Sequence, residues 1–288
     1  MSEQTVSGAT LYVVATPIGN LEDISSRALH ILSNVDFILC EDTRHSSILL
    51  DRYQIRKKLV SYFAHNEALR TDQFLPQLQA GQSAAVITDA GTPGISDPGS
   101  RIADACHEAG LRVCPVPGPS AVVTALSAAG FYKTPSFRFM TFFPRKQSER
   151  YEIFERQKTD PDVLVGYESP QRVTSLFEDA VAILGADWRV CLCRELTKKF
   201  EEITRATTGE LLARLRNEPC RGELCILFEG GKPPEKTTDA LGKDAERMIA
   251  LLKTKGLSAR DIRDVVAQYF NLKPKLVYRY LLEMMPEA

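Results

Sequence analysis

The sequence predicts an α/β protein: two α/β domains followed by a small helical unit. Three observations predict it. One pattern of apolar run, Gly/Pro loop and amphipathic helix recurs through the amino-terminal part; it changes character near Thr134 and then resumes; and only helical periodicity remains beyond Gly231. Strands alternating with helices imply a mainly parallel sheet covered on both faces. A chain of 288 residues, 44% of them hydrophobic, suits two ordinary domains and an appendage.

The elements follow in order. LYVVAT (Leu11 to Thr16) runs into PIGN and a helix around Ser25 to Leu32, and VDFILC (Val35 to Cys40) runs into EDTRHS. AAVITD then enters the loop AGTPGISDPG, and LRVCPV (Leu111 to Val116) enters PGPS and a helix ending near Gly130. Asp97 before Pro98 reads as an N-cap and first-turn proline with Gly110 as the stop, and Ser120 reads as the cap of Ala121 to Ala129. Both loops leave backbone N–H groups at a strand's carboxyl end, where open α/β sheets bind ligands.

TPSFRFMTFFPRKQ (Thr134 to Gln147) is aromatic and basic, and marks the hinge into the second domain. There DVLVGYESPQR gives strand, turn and a helix to about Leu184. WRVCLCRELTKKF and GELCILFEGG give further strands around a helix near Gly209 to Arg216. GKPPEKTTD, Gly231 to Asp239, has a linker's composition. The expected domains are therefore 1–133, 134–236 and 237–288. In the last, one helix presents Leu241, Ala245, Met248, Ile249 and Leu252; a second, capped by Ser258, presents Ile262, Val265, Val266 and Tyr269; Leu276 to Met285 follows Pro274. Two short helices around a tight turn suggest a helix-turn-helix-like unit.

Composition excludes several classes. A net charge of −1 advertises no nucleic-acid or membrane partner, so any such partner must meet a local patch. The seven cysteines are odd in number and form no CxxC pair, which indicates neither a disulfide framework nor a zinc site, so no metal, and suits a cytoplasmic chain. Val113 to Tyr132 is free of charge over a membrane-span length, but prolines and glycines break it. No GxGxxG follows the first strand, and GGKP lacks P-loop spacing. Proline beside glycine instead gives loops of fixed shape, walls for a folded and mostly uncharged ligand held by backbone groups.

VATPIGNLEDI, CEDTR, TDAGTPGISDPG, PVPGPSA, YESPQR and RELTKKFEE occur in that order between Val14 and Glu202. With these blocks the chain resembles the tetrapyrrole methylase superfamily of S-adenosylmethionine-dependent enzymes. It is most similar to the branch that methylates the ribose 2′-oxygen of a cytidine in the decoding region of 16S rRNA. The resemblance covers about residues 11 to 231, and extends to the terminal helices. It implies S-adenosylmethionine bent in a cleft between two α/β domains, a homodimer, and 16S rRNA or the assembled 30S subunit as partner. From the first domain, the cofactor walls would be Pro17 and Ile18, then Asp89, Gly91, Thr92 and Ile95, then Ser120 and Ala121. Tyr167, Glu168, Leu196 and Gly230 would complete them from the second. An acid at a strand end, as Asp89 is, can equally cap its own loop.

A ribose hydroxyl is a weak acid, so a site that methylates it must align it and receive its proton. Glu41, Asp42 and Glu195 are open to that role, with His65, Glu67, Glu168 and Lys198 as the leading candidates. For RNA phosphates the candidates are Arg44, then Arg145, Lys146 and Arg150 after the aromatic stretch, and Arg194, Lys198 and Lys199. The last three equally suit a rim salt-bridged to Glu195, Glu201 and Glu202, and alternation at Phe137 and Phe139 points to strand core before base stacking. The terminal helices carry a further basic set, either a second RNA contact or a solvated face. Carbon methylation of a tetrapyrrole and a non-catalytic S-adenosylmethionine-sensing or RNA-binding module are the rival functions.

Overall fold

The computed structural model describes residues 6–134, 136–232, 241–270 and 272–284. The first sheet comprises β1 (Thr10–Val14), β2 (Phe37–Cys40), β3 (Lys58–Ser61), β4 (Ser83–Ile87) and β5 (Arg112–Val116), ordered β3-β2-β4-β1-β5. All its pairings are parallel, as the alternating sequence predicts. β2 and β4 are buried at every residue because helices cover both faces, which is why they read as unbroken apolar runs. The helices are α1 (Ser26–Asn34), α2 (Thr43–Arg52), α3 (Glu67–Gln79), α4 (Ser100–Glu108) and α5 (Ala121–Ala129). Ser25 caps α1 through the Ala28 N–H at 3.1 Å, and Gly130 ends α5 in the left-handed region.

The second sheet is mostly antiparallel. β6 (Phe137–Phe142), β7 (Val163–Glu168), β8 (Arg189–Arg194), β9 (Glu202–Thr207) and β10 (Leu224–Phe228) are ordered β6-β7-β10-β8-β9, and only β6 and β7 run parallel. The cause is connection length: Glu195 to Glu201 is too short to cross back over the sheet, so β9 returns antiparallel to β8. α6 (Gln147–Gln157), α7 (Pro170–Leu184) and α8 (Thr208–Asn217) pack on this sheet. β6 is an edge strand, so Phe137 is exposed and Phe139 half-buried where alternation suggested core.

The two sheets belong to one compact unit that runs through Gly231, and their joint is α5. This helix follows a strand of the first sheet, yet its Val122, Ala125 and Ala129 pack with Ile18 against Val165, Cys193, Cys225 and neighbours on the second. Lys232 onward forms a separate unit. Within it α9 (Lys243–Thr254), α10 (Ala259–Tyr269) and α11 (Pro274–Glu283) enclose a core of Ala245, Ile249, Ile262, Val266, Ala267, Val277 and Leu281. Val265 and Tyr269, expected on the buried face of α10, point outward instead. Most of the linker stretch, and the 236/237 boundary, lie outside the described residues. Among those described, no helix is long and apolar enough to cross a membrane.

Arg150 corrects the sequence reading directly. Placed there among the phosphate contacts, it is 7% exposed. Its Nε donates to Asp179 Oδ2 at 2.7 Å, and its Nη1 donates to the carbonyls of Pro144 and Arg145. A guanidinium so enclosed holds α6 to α7 and has nothing left for RNA. Replacing Asp179 with Ala strands that charge in the core, and is expected to cost about 3–5 kcal/mol. Urea unfolding measures it; an unchanged midpoint would show that the pair is not structural.

Candidate active site

Three loops at the carboxyl ends of the first sheet are bound into one wall. Thr16 and Gly91 exchange backbone hydrogen bonds at 2.8 and 3.1 Å, and the Thr16 hydroxyl donates to Thr88 O at 3.0 Å. Thr92 Oγ1 donates to Pro119 O at 3.1 Å, which ties in the loop before α5. Gly91 sits at φ +83°, a conformation other residues rarely adopt, and its α-carbon faces Ile18. The wall's shape is set by backbone, as the Gly/Pro content implies.

The opposite wall comes from the second sheet, and a latch holds the two together. Asn20 N donates to Thr197 Oγ1 at 3.1 Å, and Gly19 lies so close to Lys198 and Leu196 that a Cβ would meet Lys198 Cγ at 2.4 Å. Glu195 and Thr197 both hold positive φ, 50° and 64°, and Thr197 is β-branched. Strain of this kind persists only where surrounding contacts fix it, and it clusters at working sites.

Between the walls lies a cavity of about 510 Å³, well within the range of small-molecule sites. The first sheet's loops contribute Ile18, Asp89, Gly91, Thr92 and Ile95, with Ser120 and Ala121 from the start of α5. The second contributes Tyr167, Glu168 and Leu196, with Cys193 and Cys225 at the floor. Two of the expected cofactor residues lie elsewhere. Pro17 lines a smaller adjoining cavity, and Gly230 packs against the Pro161 carbonyl, where no Cβ fits, away from the cleft. Sequence reading had no signal for Phe142, Ser169 or Gly222 to Leu224, which reach the cavity through the fold of the second sheet.

Its charged lining is entirely acidic: Glu41, Asp89, Asp97, Glu168 and Glu223. Asp97 corrects the cap assignment, since α4 begins at Ser100 behind Gly99, and the Gly99 N–H is taken by Glu67 Oε1 at 2.9 Å. Released from capping, Asp97 lines the mouth of the cavity as an exposed residue. Partial burial first, and the charges of Glu41 and Asp89 next, push its carboxyl up to about 6. Burial, then Asp89, also raises Glu41. Asp89 itself accepts from the Asp42 N–H at 3.1 Å, so it both braces a loop and lines the cavity.

The leading proton acceptors fare differently. His65 is exposed, set edge-on to Phe63, and lines neither cavity. Glu67 is spent on α4. Glu168 lines the cleft but accepts from Arg172 Nε and its neighbour's N–H, both at 2.7 Å. Lys198 lines the smaller cavity, held 3.0 Å from both Glu195 and Glu223; burial opposes its charge, but these carboxylates outweigh burial and raise its pKa.

Of the expected RNA contacts, Arg44, Arg145, Lys146 and Lys199 are exposed. Arg44 pairs with Asp42, Lys146 with Glu149, and Lys199 lies over the Phe200 ring. Arg194 does not face the cleft: it pairs with Glu202 in a separate cavity, one of the salt bridges foreseen for that stretch. That leaves it poorly placed for phosphate.

The donor set fits a cofactor with positive charge and poorly fits one bearing phosphates. Ser120 makes no capping bond, so its hydroxyl is unspent, and Ile18, Tyr167 and Leu196 offer apolar surface for a flat ring. Comparison with known proteins agrees. Ribosomal RNA small subunit methyltransferase I of Escherichia coli O157:H7 is 43% identical over 281 residues, covering 96% of each chain. Its namesakes in Haemophilus influenzae and Synechocystis are 39% and 36% identical, covering 94% and 95% of this chain and 95% and 98% of theirs. Cobalt precorrin-4 methyltransferase shares the fold, with a TM-score of 0.57 at 16% identity over 77% of this chain and 95% of that one. Uroporphyrin-III-C-methyltransferase from Thermus thermophilus gives 0.53 at 21%, over 78% and 94%. Residues 10–212 match the model of the tetrapyrrole (corrin/porphyrin) methylases, and the chain belongs to that family.

Proposed function

We propose that the protein is an S-adenosylmethionine-dependent methyltransferase of small-subunit rRNA, acting on the ribose 2′-hydroxyl of a cytidine in its decoding region. The observation that carries this reading is the division of charge: a cleft whose charged lining is wholly acidic, beside exposed cations at Arg44, Arg145, Lys146 and Lys199. Carboxylates welcome a sulfonium and an amine and repel a phosphate-bearing cofactor. The outer cations suit an RNA backbone. The relatives' name supplies the substrate class, and the 2′-oxygen and the cytidine rest on resemblance.

When bound, the cofactor supplies a methyl group on sulfur that is already an excellent leaving group. The protein's own task is the nucleophile. Ile18, Leu196 and Tyr167 exclude water, and Asp97 is a carboxyl of the lining raised to about 6 by partial burial and then by Glu41 and Asp89. With cofactor and substrate bound, Asp97 would be the group in the cavity lining placed to receive the hydroxyl's proton and pass it to solvent. Labelled cofactor and 30S particles from a strain lacking the modification test the whole reading. Label in the 16S rRNA at a ribose of one cytidine is expected; transfer to a porphyrinoid with none to RNA would replace it with carbon methylation.

Asp97 has a pH signature. Its pKa is raised on folding, so the fold favours the protonated acid, and stability falls as pH rises from the unfolded value near 3.8 through about 6. Asp97→Asn should therefore melt above wild type at pH 7.5, with the gap closing as pH falls towards 4, while methyl transfer drops at least tenfold. A melting difference independent of pH would remove the strained ionisation. Reversing Arg145 and Lys146 to Glu should leave cofactor affinity unchanged by calorimetry, while lowering RNA affinity and the steepness of its salt dependence. Equal RNA binding would take that patch out of the interface.

A further inference from the structure

Beside the cofactor-sized cavity lies a second, of about 280 Å³, that shares Ile18, Asp89, Ala90 and Glu223 with it. An occupant of one therefore meets an occupant of the other across those residues. Its walls are the loop after β1, the end of β4 and one face of α2, where Leu21, Ile48, Leu49 and Ile87 offer apolar surface. Its polar groups are His45 and Ser46 on the first turns of α2, Lys198 and Glu223 at the latch, and Thr16, Thr88 and Asp89 at the strand ends.

Ser46 is the telling group. It is 3% exposed, and among the described residues its Oγ has the Cys40 thiol beside it, a weak partner, and no oxygen or nitrogen to bond. Leaving a buried hydroxyl unmade costs free energy, so buried polar groups are ordinarily satisfied, and an exception calls for a partner from outside. A serine on the apolar face of a helix that only had to pack would be better replaced by alanine.

We propose that this second cavity receives the target nucleoside of the RNA, its base between the apolar walls against Ser46 and its ribose turned to the residues shared with the cofactor cavity. The inference rests on the proposed transfer to an RNA ribose. Methyl transfer needs the hydroxyl in line with the methyl group, hence two adjoining ligands. RNA-specific recognition commonly splays a base from the strand into a pocket of apolar surface and a few hydrogen-bonding groups, and the cavity has the size of one nucleoside. Lys198, at the latch, stands where a flanking phosphate would pass. The RNA backbone then stays at the edge marked by Lys198, whose charge offsets Glu223, and one uncharged nucleoside enters.

Two substitutions test this. Ser46→Val deletes the hydroxyl and narrows the slot; Ser46→Ala deletes the hydroxyl alone. With 30S particles, Ser46→Val should lower the rate of label transfer at saturating RNA at least tenfold and Ser46→Ala several-fold, while S-adenosylmethionine affinity by calorimetry and 30S affinity by filter binding stay within twofold. That combination, slow transfer with both partners bound, is what a base denied its slot produces and lost folding does not. Transfer at the wild-type rate by both variants would overturn the proposal. So would a folded Ser46→Val, judged by its thermal melt, that no longer binds the cofactor, since the cavity would then belong to the cofactor. If Ser46→Val does not fold, Ser46→Ala decides alone. Absence of any transfer by the wild type would refute the RNA methyltransferase reading itself, a result distinct from either.

Discussion

The site exists because one helix belongs to two cores. α5 leaves the first sheet and buries Val122, Ala125 and Ala129 against the second, alongside Ile18 from the first loop. Each large apolar side chain buried this way contributes about 1.5–3 kcal/mol, so the joint is not a loose hinge. Small residues on this face bring helix and sheet close, and Cys191, Cys193 and Cys225 supply compact apolar surface on the sheet side. Three of the seven cysteines have their explanation here. With the joint closed, Ser120 and Ala121 at the head of α5 are delivered to the cleft at a fixed height opposite Tyr167 and Leu196.

From that joint follows the separation of charge. The carboxylates come from strand ends of both sheets; burial raises the cost of ionising Glu41 and Asp97, the charge of Asp89 adds to both, and that of Glu41 adds to Asp97. Such crowding opposes folding and is tolerable where a cationic ligand later relieves it. The cations stay outside, on Arg44 at the start of α2 and on Arg145 and Lys146 before α6. The near-zero net charge of the whole chain conceals this arrangement, because opposite local fields cancel in the sum.

Strands, helices and the ligand-bearing loops were legible in the sequence because their signals are local. Ser25, Ser258 and Gly130 act where spacing places them. What stayed hidden depended on partners distant in sequence. Asp97-Pro98 has the form of a helix start, yet Glu67, 32 residues away, occupies the Gly99 N–H and the helix begins later. Arg150 looks like a basic surface residue until α7 brings Asp179 to it. Antiparallel pairing in the second sheet and the reach of Gly222 to Leu224 into the cleft are likewise products of topology. The loops' glycines and prolines did announce a rigid wall for a mostly uncharged ligand, with Asp89 and Glu168 expected on it; Glu41, Asp97 and Glu223 reach the cavity only through the fold.

The acidic cleft also suits the reaction's own bookkeeping of charge. In the proposed reaction the cofactor would bring a positive charge on sulfur, and that charge would leave as the proton of the methylated hydroxyl. If Asp97 holds that proton, the cavity's total charge is the same on both sides of the step, and no charge is created or destroyed where the dielectric is low. A neutral lining would leave the departing proton without a host, and a permanently ionised acid far below neutrality would hold it too weakly. In the proposed reaction a carboxyl raised to about 6 would take up the proton and release it to the solvent to which Asp97 is exposed. Crowded carboxylates, a destabilising feature of the resting fold, are on this view the means by which the site accommodates both a cation arriving and a proton leaving.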